Sequence, residues 1–326
     1  MPTVSILIPC YNCARWVHRA IETALAQTWP DKEVIVLDDG STDASPDIIR
    51  RYASQIRIER QKNGGQNISR NHLTELSRGE WLVYLDADDE LALDSIEKKL
   101  ALASQADAIY GDLEVACFVG VTKTRFSIIE ACEFDDPFLA ALHWRFPNTS
   151  GFVFRREAVV KVGGWNNAIH NCTDYDLYFR LLLNGARFQP VRGSLVLYRH
   201  WSPEQAVYVD RLRRARTRLE LLWRTARELS DRGMLDSRRQ AAVRAMVFAD
   251  VRTIGQFDLA EACERHAQLR EWDTQFGPTG SSRSYLLAYR AFGFGGAERI
   301  ANLTRSLRPR SKPEGARDPR SGLIYT

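Results

Sequence analysis

No run of 18 or more apolar residues occurs anywhere in the 326 residues, so a membrane-spanning helix is not expected. A charged leader with an apolar centre is also missing. Val4-Ser5-Ile6-Leu7-Ile8 already reads as a first strand, and a cytoplasmic location is expected. Cysteines are few and scattered: Cys10, Cys13, Cys117, Cys132, Cys172 and Cys263. Only the first two have metal-like spacing, and without a second pair they read as reduced, buried thiols rather than a zinc site. The Gly-Lys-Ser/Thr signature of a phosphate loop is absent, and no G-x-G-x-x-G follows the first strand. Leu91 stands where an EF-hand needs glycine. No internal repeat is found. No recognition motif accompanies the basic residues, so nucleic acid is not an expected partner.

The net charge of +4 conceals an asymmetry. Residues 1–204 carry 22 basic and 27 acidic side chains, whereas residues 205–326 carry 23 and 14. Such a shift marks two units. Short apolar strands alternate with helices over the first hundred residues: strands at 4–8, 33–37, 56–59 and 81–85, helices at 15–26, 45–52 and 69–77. That alternation predicts an α/β fold, a mostly parallel twisted sheet flanked by helices. Strands are also expected at 108–113, 123–128 and 151–155, and a helix at 173–184 with a Thr173…Asp176 capping box and Gly185 as its stop. From about residue 205 to 307 the chain reads as a helical, basic carboxyl-terminal extension. Residues 308–326, with prolines, glycines and arginines, read as a disordered tail.

Ligands of parallel sheets bind beyond the carboxyl ends of the strands. Polar residues gather there: Tyr11 and Asn12 after the first strand, Asp38 and Asp39 after the second, Asp86 and Asp88 after the fourth. The stretch Trp81-Leu82-Val83-Tyr84-Leu85-Asp86-Ala87-Asp88-Asp89 is the most informative. A buried strand that runs into clustered carboxylates is costly unless a cation meets it. Hard ions such as Mg²⁺ or Mn²⁺ suit one or two carboxylates plus substrate phosphates. By itself this junction does not separate glycosyl transfer from phosphoryl transfer. On local evidence Asp174 is an ordinary acid in the first turn of a helix.

Six blocks in order resemble glycosyltransferase family 2: Val4 to Asn12, Asp38 to Asp43, Asn63-Gly64-Gly65 with Arg70-Asn71, Leu85 to Asp89, Val162 to Asn166, and Thr173 to Leu181. The resemblance covers about residues 3–202. It implies a GT-A fold, inversion at the anomeric carbon, a divalent cation (Mn²⁺ or Mg²⁺) and a nucleoside-diphosphate sugar donor, a UDP-sugar foremost. By position, Pro9, Tyr11 and Asp39 frame base and ribose, Arg70 lies along the nucleotide, Asp86 touches ribose or donor sugar, and Asp88 holds the metal. Asp174 falls at the catalytic base. Thr173 stands where the family usually has glutamate. His200 directly follows Arg199, whereas relatives often place that histidine two positions after the arginine; a metal or phosphate role is assigned to it. Trp165, ahead of Trp144 and Trp201, is the choice for stacking on the acceptor side.

The expected acceptor is a glycan or a lipid-linked sugar in polysaccharide, lipopolysaccharide or glycolipid assembly. Arg211, Arg213, Arg214, Arg216 and Arg218, and the arginines around Leu286, Leu287, Tyr289, Phe292 and Phe294, raise the expectation of peripheral contact with the inner face of the plasma membrane. The alternative from another class is a non-catalytic nucleotide-sugar binding scaffold.

Overall fold

The computed structural model describes residues 3–119, 122–200 and 211–306. They form two compact units, the first of residues 3–137 and 145–200, the second of residues 138–144 and 211–306.

The first unit opens with β1 (Val4–Cys10), α1 (Val17–Leu25), β2 (Lys32–Asp38), α2 (Ser45–Arg50), β3 (Arg57–Arg60), α3 (Gln66–Leu76) and β4 (Trp81–Tyr84). β1 pairs in parallel with β2 and β4, and β2 with β3. The register sets Cys10 against Asp38 and Leu7 against Tyr84, so Tyr11, Asp39 and Asp86 leave the sheet at one end. Ile6, Ile8, Val36 and Val83 on one face pack with Val17, Ala20, Ile21 and Ala24 of α1. Each fully buried branched side chain contributes about 1.5–3 kcal/mol.

Then follow β5 (Glu90–Leu91), α4 (Ser95–Leu100), β6 (Ala108–Val119), β7 (Thr122–Ile129), α5 (Pro137–Leu142), a 3₁₀ turn (Thr149–Gly151), β8 (Phe152–Arg155), α6 (Arg156–Lys161), α7 (Thr173–Leu183) and β9 (Phe188–His200). The sheet order is β3-β2-β1-β4-β8-β6-β9-β5, with β7 on β6. The parallel half is the expected one. Past β4 the sheet becomes mixed: β8 runs antiparallel to β4 and β6, β7 to β6 and β5 to β9, while β6 and β9 are parallel. β9 had no counterpart in the sequence reading, because Pro190, Arg192 and Gly193 interrupt its pattern. Tertiary pairing supplies what the pattern lacks. The Asp112 carboxylate accepts from Gly193 N at 2.7 Å and from Ala131 N at 2.7 Å, at the register shift between Gly111 and Asp112.

Two local expectations are corrected. α3 starts at Gln66 rather than Ser69, because Gly65 (φ 91°, ψ 165°) turns the chain directly into it. The Thr173…Asp176 capping box does not form. Cys172, left-handed at φ 55°, is the N-cap, so Thr173 already lies inside the helix. Asp176 is buried and accepts instead from Arg180 Nε at 2.8 Å. Gly185 does end α7, at φ 81°.

Besides residues 138–142 of α5, the second unit contains α8 (Arg211–Asp231), α9 (Ser237–Ile254), α10 (Leu259–Trp272) and α11 (Arg283–Ser306), the last broken at Gly293 (φ 67°, ψ −174°). Asp236 and Asp258 cap α9 and α10 by accepting from Arg239 N and Glu261 N, each at 2.9 Å. Much of the arginine surplus is consumed internally. Arg216 pairs with Glu261 at 2.5 Å, Arg218 with Asp250 at 3.4 Å and Arg252 with Glu298 at 2.5 Å. The tail expected at 308–326 lies outside the described residues.

Candidate active site

The site is assembled from the ends of β1, β2 and β4, the start of α3, and the Gly163-to-α7 segment. Pro9 sits near the end of β1, opposite Leu37. Tyr11 follows, half-exposed, in a turn that Asn12 (φ 50°) latches down. The Asn12 amide oxygen accepts from Thr42 N at 2.8 Å, and its own backbone N–H donates to Ser41 Oγ at 3.0 Å. The Tyr11 ring is therefore held at the mouth with a face free for packing.

Asp39 is buried, and three protein donors reach its carboxylate: Gln61 Nε2 at 2.7 Å, Gly64 N at 2.9 Å and Gly65 N at 3.0 Å. A carboxylate offers about four acceptor positions. One is left for a ligand, and the other three fasten the glycine turn that leads into α3.

Arg70, on α3, is only 1% exposed. One terminal nitrogen lies 2.6 Å from Asp86 Oδ1, and the guanidinium stands 4.4 Å from the centre of the Trp165 ring. Trp165 in turn meets Tyr84 edge-on at 5.1 Å. Asn71 clamps the same tryptophan through its backbone, accepting from Trp165 N at 2.7 Å and donating to Trp165 O at 2.8 Å. One expectation changes accordingly. Trp165 is 2% exposed with a ring face under Arg70, so it does not offer an open surface for stacking on an acceptor. Its place is to carry Arg70 by a cation–π contact. Arg70 also pairs with Asp86. Of the other tryptophans weighed, Trp144 is buried and Trp201 lies outside the described residues.

Asp174 stands in the first turn of α7, with Oδ1 accepting from Tyr175 N at 3.0 Å. Part of its surface stays open, yet protein atoms crowd the carboxyl, and this desolvation pushes its pKa up to about 6. Arg70 pulls the value down and Asp86 pushes it up, which identifies the three as one electrostatic cluster. A carboxyl poised near neutrality is the form general base catalysis needs.

The acidic turn has its own division of labour. Asp86 keeps 29% of its side chain exposed, and its backbone N–H donates to Ser150 Oγ at 3.1 Å. Asp88 is also partly open. Asp89 is fully buried; it accepts from Asn148 Nδ2 at 3.1 Å and Arg199 N at 3.3 Å. Burial first, then the neighbouring Asp88 and Asp86 charges, hold its carboxyl well above the usual range. Asp89 thus anchors the turn to β9 rather than facing a ligand. Arg199 completes the anchor by donating to the Asp88 carbonyl and to Glu90, its guanidinium 4.1 Å from the Trp16 ring and 4.8 Å from that of Phe118.

His200, the last residue of β9, is buried and meets Tyr198 edge-on at 4.7 Å. Burial pushes its pKa down to about 4, leaving the neutral imidazole that can ligate a metal. Among the described residues no group of three or more His, Cys, Asp or Glu is arranged to hold an ion. Mg²⁺ and Mn²⁺ do not demand such a cage, since waters and substrate phosphates complete their shell. Burial first, then the Asp89, Asp88 and Asp86 charges, hold the Tyr198 hydroxyl well above its usual pKa, so negative charge converges there. Carboxylate oxygen and neutral imidazole are donor types such an ion accepts. Sequence reasoning missed Asn148, Ser150, Glu90 and Tyr198. None carries a local signal, whereas Asp89 lay within the motif already singled out.

A mixed sheet with carboxylates at the ends of its parallel strands is the GT-A architecture, and solved structures agree. S. aureus TarS 1-349, solved with UDP-GlcNAc, aligns with a TM-score of 0.58 at 14% identity, covering 95% of this chain and 93% of that one. The mannosyltransferase PcManGT of Pyrobaculum calidifontis, solved with GDP-Man and Mn²⁺, aligns with a TM-score of 0.55 at 19% identity, covering 95% and 88%. Residues 5–163 match the model of Glycosyl transferase family 2. Escherichia coli chondroitin synthase is 35% identical over 190 residues, which is 56% of this chain and 26% of that protein. Pasteurella multocida hyaluronan synthase is 30% identical over 196 residues, 56% of this chain and 19% of that one. The chain thus spans about a quarter or less of these two curated relatives.

Proposed function

We propose that this chain is an inverting glycosyltransferase moving a sugar from a nucleoside-diphosphate sugar to an acceptor hydroxyl in polysaccharide, lipopolysaccharide or glycolipid assembly. The observation that carries this reading is the cluster of Asp174 with the Arg70–Asp86 pair at the carboxyl ends of the strands. Asp174 takes the proton of the attacking hydroxyl. Asp86 lies toward the donor, and Arg70 holds that carboxylate in place. Tyr11 and Asp39 border the base and ribose. Asp88 and the neutral His200 would hold Mn²⁺ or Mg²⁺, which when bound offsets the charge on the departing diphosphate. A UDP-sugar donor is favoured by the UDP and UDP-GlcNAc complexes of TarS, and a glycan acceptor by the polysaccharide synthases. The location proposed with this reading is cytoplasmic, the expectation raised by the sequence.

A thermal-shift panel of nucleotide sugars with Mn²⁺ tests the donor. Free ligand at about 100 times its Kd stabilises the native state by about 2.7 kcal/mol, so the right donor stands out. Asp88→Ala should remove the Mn²⁺-dependent part of that shift. A panel in which no nucleotide sugar raises the melting temperature would sink the reading.

The pH profile follows from Asp174. Its pKa is raised, and the ionised form is the active one. The rate, as kcat/KM, should therefore fall as pH drops through about 6 and level off above it. An acid limb near the ordinary carboxylate range would argue for a different base.

A further inference from the structure

α11 has two unlike faces. On one side Tyr285, Phe294 and Ala297 are buried, and the unit's aromatic core holds them. Phe294 stacks on His266 at 4.5 Å, the Tyr289 hydroxyl lies 2.9 Å from His266 Nε2, and the Arg252 guanidinium stands 3.9 Å from the Tyr285 ring. Away from that core Leu287 is 67% exposed, Leu303 64% and Ile300 42%, with Arg290 and Arg299 exposed beside them, and Phe292, next to the break at Gly293, is 66% exposed. Of the apolar residues expected from sequence to face outward here, Phe294 in fact faces inward, while Ile300 and Leu303 extend the outer face.

The charge on that outer face has one sign. Glu298, the helix's only acid, is fully buried and held by Arg252 at 2.5 Å and Arg305 at 3.4 Å. Asn302 donates to Gly255 O at 2.9 Å, tying the end of α11 to the turn that carries Phe257, itself 55% exposed. The arginines of α8 differ: Arg216 and Arg218 are occupied by Glu261 and Asp250.

We infer that the outer face of α11 is a docking surface for an anionic lipid bilayer, with Leu287, Phe292, Ile300 and Leu303 entering the interface and Arg290 and Arg299 meeting lipid phosphates. Charge complementarity selects this occupant. A second copy would oppose arginine to arginine. The chain's own residues 307–326 carry five basic and two acidic side chains, so they share the sign of the face. An amphipathic helix with arginines beside exposed apolar side chains suits the boundary between headgroups and acyl chains. No helix of the described residues is long and apolar enough to cross a membrane.

The full chain would be floated with vesicles of phosphatidylcholine alone and of phosphatidylcholine with phosphatidylglycerol, at low and high salt and without donor. Binding to the anionic vesicles only, weakened by salt, is expected. Arg290→Gln and Arg299→Gln should each weaken it about fivefold. Leu287→Ser with Leu303→Ser should abolish it while circular dichroism and donor-induced thermal shifts stay unchanged. Absence of binding to anionic vesicles, or binding that the variants leave intact, would overturn the inference. So would a concentration-dependent dimer in solution that Leu287→Ser and Leu303→Ser dissolve, since the face would then belong to a second copy. The vesicle-binding and dimerisation outcomes do not depend on the catalytic reading.

Discussion

Asp174→Asn should lower kcat for sugar transfer by about 10²–10⁴-fold, the range a positioned general base supplies, and leave the donor-induced thermal shift intact. Asparagine can still accept from Tyr175 N, so the first turn of α7 keeps its local hydrogen bond. Stability is not the route to the loss. An aspartate with a pKa near 6 in the folded state, against an ordinary value of 3.8, binds its proton more tightly folded than unfolded. Its contribution to stability is fully present at low pH and is lost as pH rises through about 6. Above that pH the carboxylate is a burden that asparagine removes, and Asp174→Asn should melt no lower than the parent. Initial rates with the donor found by thermal shift decide the matter. Undiminished transfer would eliminate Asp174 as the base, and a protein that binds donor but never transfers would be the scaffold instead.

Arg70→Met should cost about 3–5 kcal/mol of stability, the usual penalty for removing one partner of a buried pair. The lower end applies, because Asp86 keeps 29% of its side chain in contact with solvent. Arg70 itself is 1% exposed, lies 2.6 Å from Asp86 and covers Trp165 at 4.4 Å, so the substitution strips a charge pair and a stacked ring at once. It also removes the cation that holds Asp174 down and leaves Asp86 to push it up. The acid limb of the kcat/KM profile should therefore move to higher pH. Arg70→Lys keeps the charge but not the planar fork, so it should recover the profile more fully than the stability. Urea denaturation and the pH profile measure the two effects separately. A variant with parental stability and an unmoved profile would show that the pair is incidental.

The parallel half of the sheet was legible because its strands are short, apolar and separated by amphipathic helices, a signal confined to each segment. Carboxylates at strand ends were legible for the same reason, since Asp38-Asp39 and Asp86-Ala87-Asp88 follow their strands without a gap. β9 escaped because its Gln189-Pro190-Val191-Arg192-Gly193 stretch lacks alternation, and β6 holds it in the sheet instead. The capping box failed because Cys172 took the left-handed position one residue earlier, a choice set by the approach of the chain rather than by Thr173.

What the sequence by itself determined is which residue types stand at the ends of which strands, and in what order the motifs come. It could not assign partners. Trp165 looked like a sugar-stacking surface until Asn71, 94 positions away, proved to clamp its backbone and Arg70 to cover its ring. Asp89 stood beside Asp86 and Asp88 without a role of its own until Arg199, 110 positions on, claimed it for the scaffold. Local pattern encodes backbone preference and solvent-facing periodicity, both properties of neighbouring residues. Burial, ion pairing and the pKa values they set depend on which distant segment arrives, and only the tertiary structure decided that.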